Sequence, residues 1–172
     1  MATWIGALSR GGVLVTEREQ QGAMAALTLL GSRRLETLRE WFKAAAPDEA
    51  EREREGAVEV CLWMAHADRV IAPEERTLLE DIIAFSELPE QRRSELTAGL
   101  EKAPSLDNIA GRLTQPQLRG LMLALSWQLA EADGRVDATE ATAYDRLAEL
   151  LEVSANEAAK IRDAVSTREP DA

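Results

Sequence analysis

Residues 58–96 align without a gap on residues 123–161, at an offset of 65. A chain that repeats at fixed spacing folds each copy into the same local unit, and the copies then bury each other's apolar faces. The turn regions read Met64-Ala-His-Ala-Asp-Arg-Val-Ile-Ala-Pro-Glu-Glu75 and Leu129-Ala-Glu-Ala-Asp-Gly-Arg-Val-Asp-Ala-Thr-Glu140. Ala65, Ala67, Asp68 and Glu75 are identical to Ala130, Ala132, Asp133 and Glu140. The apolar register extends the match. Val58, Val60, Met64, Ile71, Ile82, Leu88 and Leu96 meet Leu123, Leu125, Leu129, Val136, Leu147, Val153 and Ile161.

Each copy reads as helix, tight turn, helix, turn, helix. In the second copy Met122, Leu125, Ser126 and Leu129 fall at i, i+3, i+4 and i+7, and the rest of that helix is also mostly apolar. Such a helix is central and buried. Gly134 suits its end, because glycine takes positive φ without a Cβ penalty. Asp137 then caps the next helix, with Glu140 reaching back from the third helical position. In the first copy Pro73 falls at the first helical position, where its missing N–H costs nothing, and Glu75 again falls at the third. Ser154-Ala-Asn-Glu157 has the form of a capping box for the last helix, and Pro89 occupies the equivalent turn of the first copy. Pro104, Ser105, Asn108, Gly111 and Pro116 mark residues 103–116 as a connector with room for one helical turn.

The N-terminal residues lie outside the repeat. Thr16-Glu-Arg-Glu19 is a capping box opening a helix to about Leu30, which Gly31 and Ser32 break. A second helix carries Leu35, Leu38, Trp41 and Phe42 on one side and ends near Pro47. Trp4-Ile5-Gly6-Ala7-Leu8 fits either a short helix or an extended arm. The expected fold is therefore all-α: a helical bundle of two pseudo-symmetric helix-turn-helix repeats with a helical N-terminal extension. The extension covers 1–47 and the bundle 48–165, with repeat units about 50–102 and 115–165. Residues 166–172 read as a flexible tail.

Charge narrows the partners. The formal net charge is −11, and residues 48–102 alone hold 15 acidic against 7 basic residues. An acidic body repels phosphate, which excludes nucleic acid and favours cations or basic protein surfaces. The single cysteine, Cys61, forms no intrachain disulfide and fits a reducing, cytoplasmic setting. No signal peptide is legible, and the apolar stretch around Leu121 to Ala130 falls far short of the ~20 residues that span a bilayer. Arg33, Arg34, Arg39 and Lys43 beside Trp41 and Phe42 would suit contact with an anionic membrane surface. Glu36 and Glu40 dilute that charge, so packing on the bundle or on a second chain is the stronger expectation.

Candidate chemistry is sparse. The second-copy turn is no EF-hand: Leu129 would stand at its first ligand position, and calcium needs 6–8 oxygens. Cys61 and His66, each the sole residue of its kind, lie five positions apart on a helix and so on different faces. Cys61 is expected as a buried small hydrophobe and His66 as facing solvent or a partner. There is no phosphate-binding glycine loop, zinc-ligand spacing or Glu-x-x-His motif. No enzyme is expected, and the four tryptophans read as packing residues.

Taken together, Gly56-Ala-Val-Glu-Val-Cys61, Met64-Ala-His-Ala-Asp68, Pro73-Glu-Glu75, Ala130-Glu-Ala-Asp-Gly-Arg-Val-Asp-Ala-Thr-Glu140 and Leu151-Glu-Val-Ser-Ala-Asn-Glu157 resemble the TerB-like tellurite-resistance family over roughly residues 50–165. The spacing of the whole set carries the resemblance, since each motif alone is short. It implies an all-helical, acidic, non-enzymatic stress-response module that binds a divalent cation such as calcium through acidic helix-turn motifs. Carried over residue by residue, the implied metal set is Asp68 and Glu75 from one half, with Asp133, Asp137 and Glu140 from the other. Arg69 stands where the family has glycine, and Ala72 where it has an acidic or polar residue, which shifts the expectation to the second turn. Two plainer readings stand beside it. The same acids cap helices and hold turns without any ligand. The acidic face could instead serve a protein–protein interaction adaptor that docks a basic partner with no metal.

Overall fold

A computed structural model describes residues 31–67, 71, 73–84, 86–131 and 136–166, with Glu74, Glu75, Leu78, Gln128, Leu129 and Glu131 in backbone only. The helix predicted over 16–30, the segment before it and the expected tail after Ser166 lie outside the described residues.

All regular structure among the described residues is helical. Helix α1 is Ser32–Ala44, α2 Pro47–Ala65, α3 Pro73–Ala84 and α4 Glu90–Ala98. After a connector come the single turn α5, Ile109–Arg112, then α6, Pro116–Glu131, α7, Ala138–Leu150, and α8, Ala155–Ser166. Proline opens α2, α3 and α6 at the first helical position, where a helix has no use for the missing N–H. At the other end of the scale of turns, Glu87 and Glu152 take left-handed backbone, with φ of 58° and 56°. They follow α3 and α7 at the same offset of 65, as do the starts of α3 and α7 and of α4 and α8. These correspondences are of sequence position and local geometry, and a pseudo-symmetric superposition of the halves stays a proposal.

Helix α6 is the hub. It packs on α1, α2, α7 and α8. Leu118, Leu121, Met122, Leu123, Ala124, Leu125, Trp127 and Ala130 are all buried on it, so apolar residues cover its whole circumference, as its composition predicts. Its one buried hydroxyl, Ser126 Oγ, donates to the Met122 carbonyl at 2.7 Å and so costs little. Val58 and Val60 on α2 and Leu147 on α7 meet this core, fully buried.

Tyr144 and Trp127 join α6, α7 and α8. Their rings meet edge to face at 5.0 Å. Tyr144 donates its hydroxyl to the Ala158 carbonyl at 2.7 Å, and Trp127 Nε1 donates to Ser166 Oγ at 3.0 Å. The Arg162 guanidinium lies 5.5 Å from the Trp127 ring centre, within cation–π reach.

Helix α1 turns its apolar side inward. Leu38 and Phe42 are buried, and Leu35 and Trp41 pack half-buried beside them. Its outer side holds the ion pairs Arg39–Glu36 at 3.2 Å and Lys43–Glu40 at 3.1 Å. The aromatic residues of α1 therefore serve packing on the bundle. Among the described residues, no helix is long and apolar enough to cross a membrane.

Candidate functional site

The α6–α7 corner carries the acids that the sequence singles out. Asp137 is the N-cap of α7, with extended backbone at φ −82° and ψ 170°. Its Oδ1 accepts from the Glu140 N–H at 2.8 Å, and the Asp137 N–H donates to Glu140 Oε2 at 3.0 Å. This reciprocal box satisfies two of the donors that a helix start leaves open, and it places negative charge at the positive end of the helix dipole. Asp137 is exposed and Glu140 half-buried. One oxygen of each carboxylate is used in this way, and the other makes no hydrogen bond among the described residues.

The other predicted donors are placed less fully. Asp68 and Asp133 lie outside the described residues. Glu75 occupies the third position of α3, as the capping pattern requires, with its side chain outside the description. Among the described residues, no group of three or more His, Cys, Asp or Glu side chains is assembled that could hold a metal ion. Asp137 and Glu140 supply the hard oxygens that a divalent cation prefers, but two carboxylates fall short of the 6–8 donors that calcium takes.

The polar cluster that the structure does build is elsewhere, at the junction of α2, α4 and α5. Glu59 is buried, and its two oxygens take Arg92 Nη2 of α4 at 3.0 Å and Arg112 Nη1 of α5. Arg92 also holds Glu55 through Nε at 2.5 Å and Glu95 through Nη1 at 3.1 Å. Burial works against the Arg92 charge, but the carboxylates of Glu55, Glu95 and Glu59 outweigh it and raise its pKa. Beside it, buried Glu53 accepts from the Thr114 N–H at 2.6 Å and from the Thr114 hydroxyl. Glu53 Oε2 has no hydrogen-bond partner among the described residues. Arg119 donates to the carbonyls of Leu113 and Ala110, both at 2.6 Å, and so closes the end of α5.

Sequence reasoning passed over this junction. The available signal was Glu59 itself, a lone carboxylate inside Val58-Glu-Val-Cys-Leu62, where every helical face is apolar. The α2–α4–α5 cluster reads as structure: Glu55, Glu59 and Glu95 face Arg92 and Arg112, and α5 lies against α2 so closely that a Cβ on Gly56 would stand 3.4 Å from Ile109 Cδ1.

His66 corrects one expectation. It does not stand free at the surface: half-buried, it uses Nε2 in a hydrogen bond to the Leu100 carbonyl at 2.9 Å and ties the end of α2 to the chain after α4. Cys61 is half-buried, and burial pushes its thiol up to about 12, so it stays protonated at neutral pH.

No curated protein and no solved structure matches the chain. The sequence model of one family, described as "Tellurite resistance protein TerB", matches residues 54–163. That span runs from within α2 to the last turn of α8 and takes in both acidic turns, well over half of the sequence. The helical architecture and this match agree with the motif spacing, and the chain belongs to the TerB family.

Proposed function

We propose that this chain is a non-enzymatic, cytoplasmic stress-response module of the tellurite-resistance type, which binds a divalent cation at the α6–α7 corner. The observation that carries the reading is the Asp137–Glu140 box. It fixes two carboxylates one helical turn apart and leaves one oxygen of each without a hydrogen bond among the described residues. Asp133, just before the turn, would complete this half of the donor set, and Asp68 and Glu75 would supply the other half. The residues of the chain do the organising: the backbone of α7 orients the carboxylates before any ligand arrives.

Thermal unfolding of the full chain with and without millimolar calcium, magnesium or manganese tests this, in wild type and in Asp133→Asn/Glu140→Gln. A ligand bound by the folded state alone raises the melting temperature by mass action, by roughly 5 °C or more at a hundredfold excess over Kd. The expected result is a rise that the double substitution abolishes. No rise with any of the ions, together with a lower melting temperature of the variant, would mean that these acids only cap and hold the turn.

A second reading then takes first place: an adaptor whose acidic surface docks a basic protein partner. It is favoured by the completeness of the capping box, which accounts for Asp137 and Glu140 without any metal, and by the net charge of −11.

A further inference from the structure

Helices α6 and α8 run side by side in the same direction. A Cβ on Gly120 would stand 3.9 Å from Ile161 Cδ1, and farther along Trp127 Nε1 donates to Ser166 Oγ at 3.0 Å. Between the two helices lies an open groove of about 420 Å³, with Arg34 of α1 on its rim. That volume falls within the range of small-molecule sites, about 300–1,000 Å³. The lining runs from Pro116 to Ala124 on α6 and from Glu157 to Val165 on α8, roughly 12 Å at the helical rise.

The lining changes character along that length. At the end where both helices begin stand Gln117 and Glu157, with Lys160 one turn further on. Beyond them come Leu121 and Ile161, then Ala124 and Val165. Leu121, Ala124 and Val165 are buried and Ile161 is half-buried, while Arg34, Glu157 and Lys160 are exposed. The ion pairs of α1 and α8 use Arg39, Lys43 and Arg162, and Arg34, Glu157 and Lys160 make none among the described residues. Two cations beside one carboxylate leave the groove with a surplus positive charge.

Gly120 keeps the floor of the groove open. It lies inside α6, where glycine is less favourable than alanine. No contact demands it, because a methyl group there would meet Ile161 at ordinary van der Waals distance. Packing of the bundle therefore leaves the missing side chain unexplained, and its effect is to widen the groove where polar lining gives way to apolar.

We infer that the α6–α8 groove binds a small monocarboxylate with an apolar tail, taken from solution, with its head toward Lys160 and Arg34 and its tail over Leu121, Ile161 and Val165. A single negative head matches the surplus charge, and Glu157 opposes a doubly charged head such as a phosphate. The tail removes apolar surface from water. The inference does not depend on cation binding at the α6–α7 corner.

An NMR titration of the full chain with octanoate, a carboxylate of comparable length, tests it at the backbone amides. Octylammonium, the same tail under a positive head, and acetate, the head without the tail, are the controls. The variants are Lys160→Glu, at an exposed position, and Gly120→Leu, which fills the floor; circular dichroism and melting show that each is folded. The expected result is saturable binding of octanoate with shifts centred on residues 117–124 and 157–165. Octylammonium and acetate should bind at least about tenfold more weakly, the size of one charge-assisted contact or of a few buried methylenes. Lys160→Glu should weaken octanoate by a similar factor, and Gly120→Leu should abolish its binding. No saturable shift with millimolar octanoate in wild type would overturn the inference. Equal affinity for octanoate and octylammonium would overturn it, because the groove would then read the tail alone. Binding unchanged in a folded Lys160→Glu or Gly120→Leu chain would do the same, because the ligand would lie elsewhere. A wild-type dimer that Gly120→Leu converts to monomer would give the groove to a second copy of the chain and overturn it too.

Discussion

Glu59 sits where an acid is expensive to place. Burial strips its solvation, and Arg92 and Arg112 restore the balance from two different helices. Glu59→Ala takes from Arg112 the carboxylate it faces and leaves Arg92 with Glu55 and Glu95, each guanidinium still partly open to solvent. A loss of about 2–3 kcal/mol is expected in urea unfolding, at the low end for a broken buried pair because both arginines can turn outward. A loss under 0.5 kcal/mol would show that the arginines never needed this carboxylate. Tyr144 makes a second residue-level case. Burial pushes its hydroxyl up to about 12 from an ordinary 10, with the Arg162 charge opposing. The folded chain then holds a proton that the unfolded chain gives up first. This contribution to stability is complete below pH 10 and is lost as pH rises from 10 to 12. Cys61 works in the same direction from pH 9. Tyr144→Phe should cost about 1 kcal/mol at neutral pH through the lost bond to Ala158. It should also flatten stability between pH 10 and 12, leaving the Cys61 slope; an unchanged alkaline limb would contradict the assignment.

At the level of elements, the parts written in local chemistry were legible and the parts written by distant contacts were not. Pro73 and Asp137 mark the starts of α3 and α7 through rules that involve neighbours three or four residues away, and the structure follows them. The Ile109–Arg112 turn falls inside the predicted connector, and Leu38 and Phe42 face inward as their spacing requires. His66 and Glu59 were misjudged or missed because their partners lie 34 and 53 residues away, on segments whose position no spacing rule supplies. The predicted cation donors divide in the same way: Asp137 and Glu140 stand where local capping places them, while Asp68 and Asp133 fall outside the described residues. The α2–α5 contact gives a prediction at this scale. A methyl group at position 56 would only touch Ile109 and Leu113, at 3.4 and 3.5 Å. Gly56→Ala should therefore be neutral or stabilising by up to ~1 kcal/mol, through helix propensity. Gly56→Leu would lift α5 off α2 and cost about 1–3 kcal/mol by overpacking. Equal melting temperatures for the two variants would mean that α5 is not held against α2.

The whole molecule depends on α6 as a shared core. Helices from both sides of the connector rest on it, and α5 with the segment that joins it to α6 supplies Arg112 to Glu59 and Thr114 to Glu53 on α2. The connector, by contrast, runs through the exposed residues Glu101, Lys102 and Ala103. A break there severs one peptide bond and none of these contacts. Fragments 1–102 and 103–172, made as separate polypeptides, should each lack fixed structure, since the first loses the floor beneath Val58 and Val60 and the second loses the lid over α5. Mixed, they should recover the helical circular dichroism of the intact chain with a concentration-dependent midpoint. Failure to recover it would place an essential contact within the connector. The Glu59–Arg112 ion pair and the Thr114–Glu53 hydrogen bonds at the seam then have a meaning that the continuous chain conceals: they form a recognition code between two polypeptides. With each piece fused to half of a reporter enzyme, assembly would register as signal, and charge-reversed versions of Glu59 and Arg112 would sort one pair of fragments from another in the same tube.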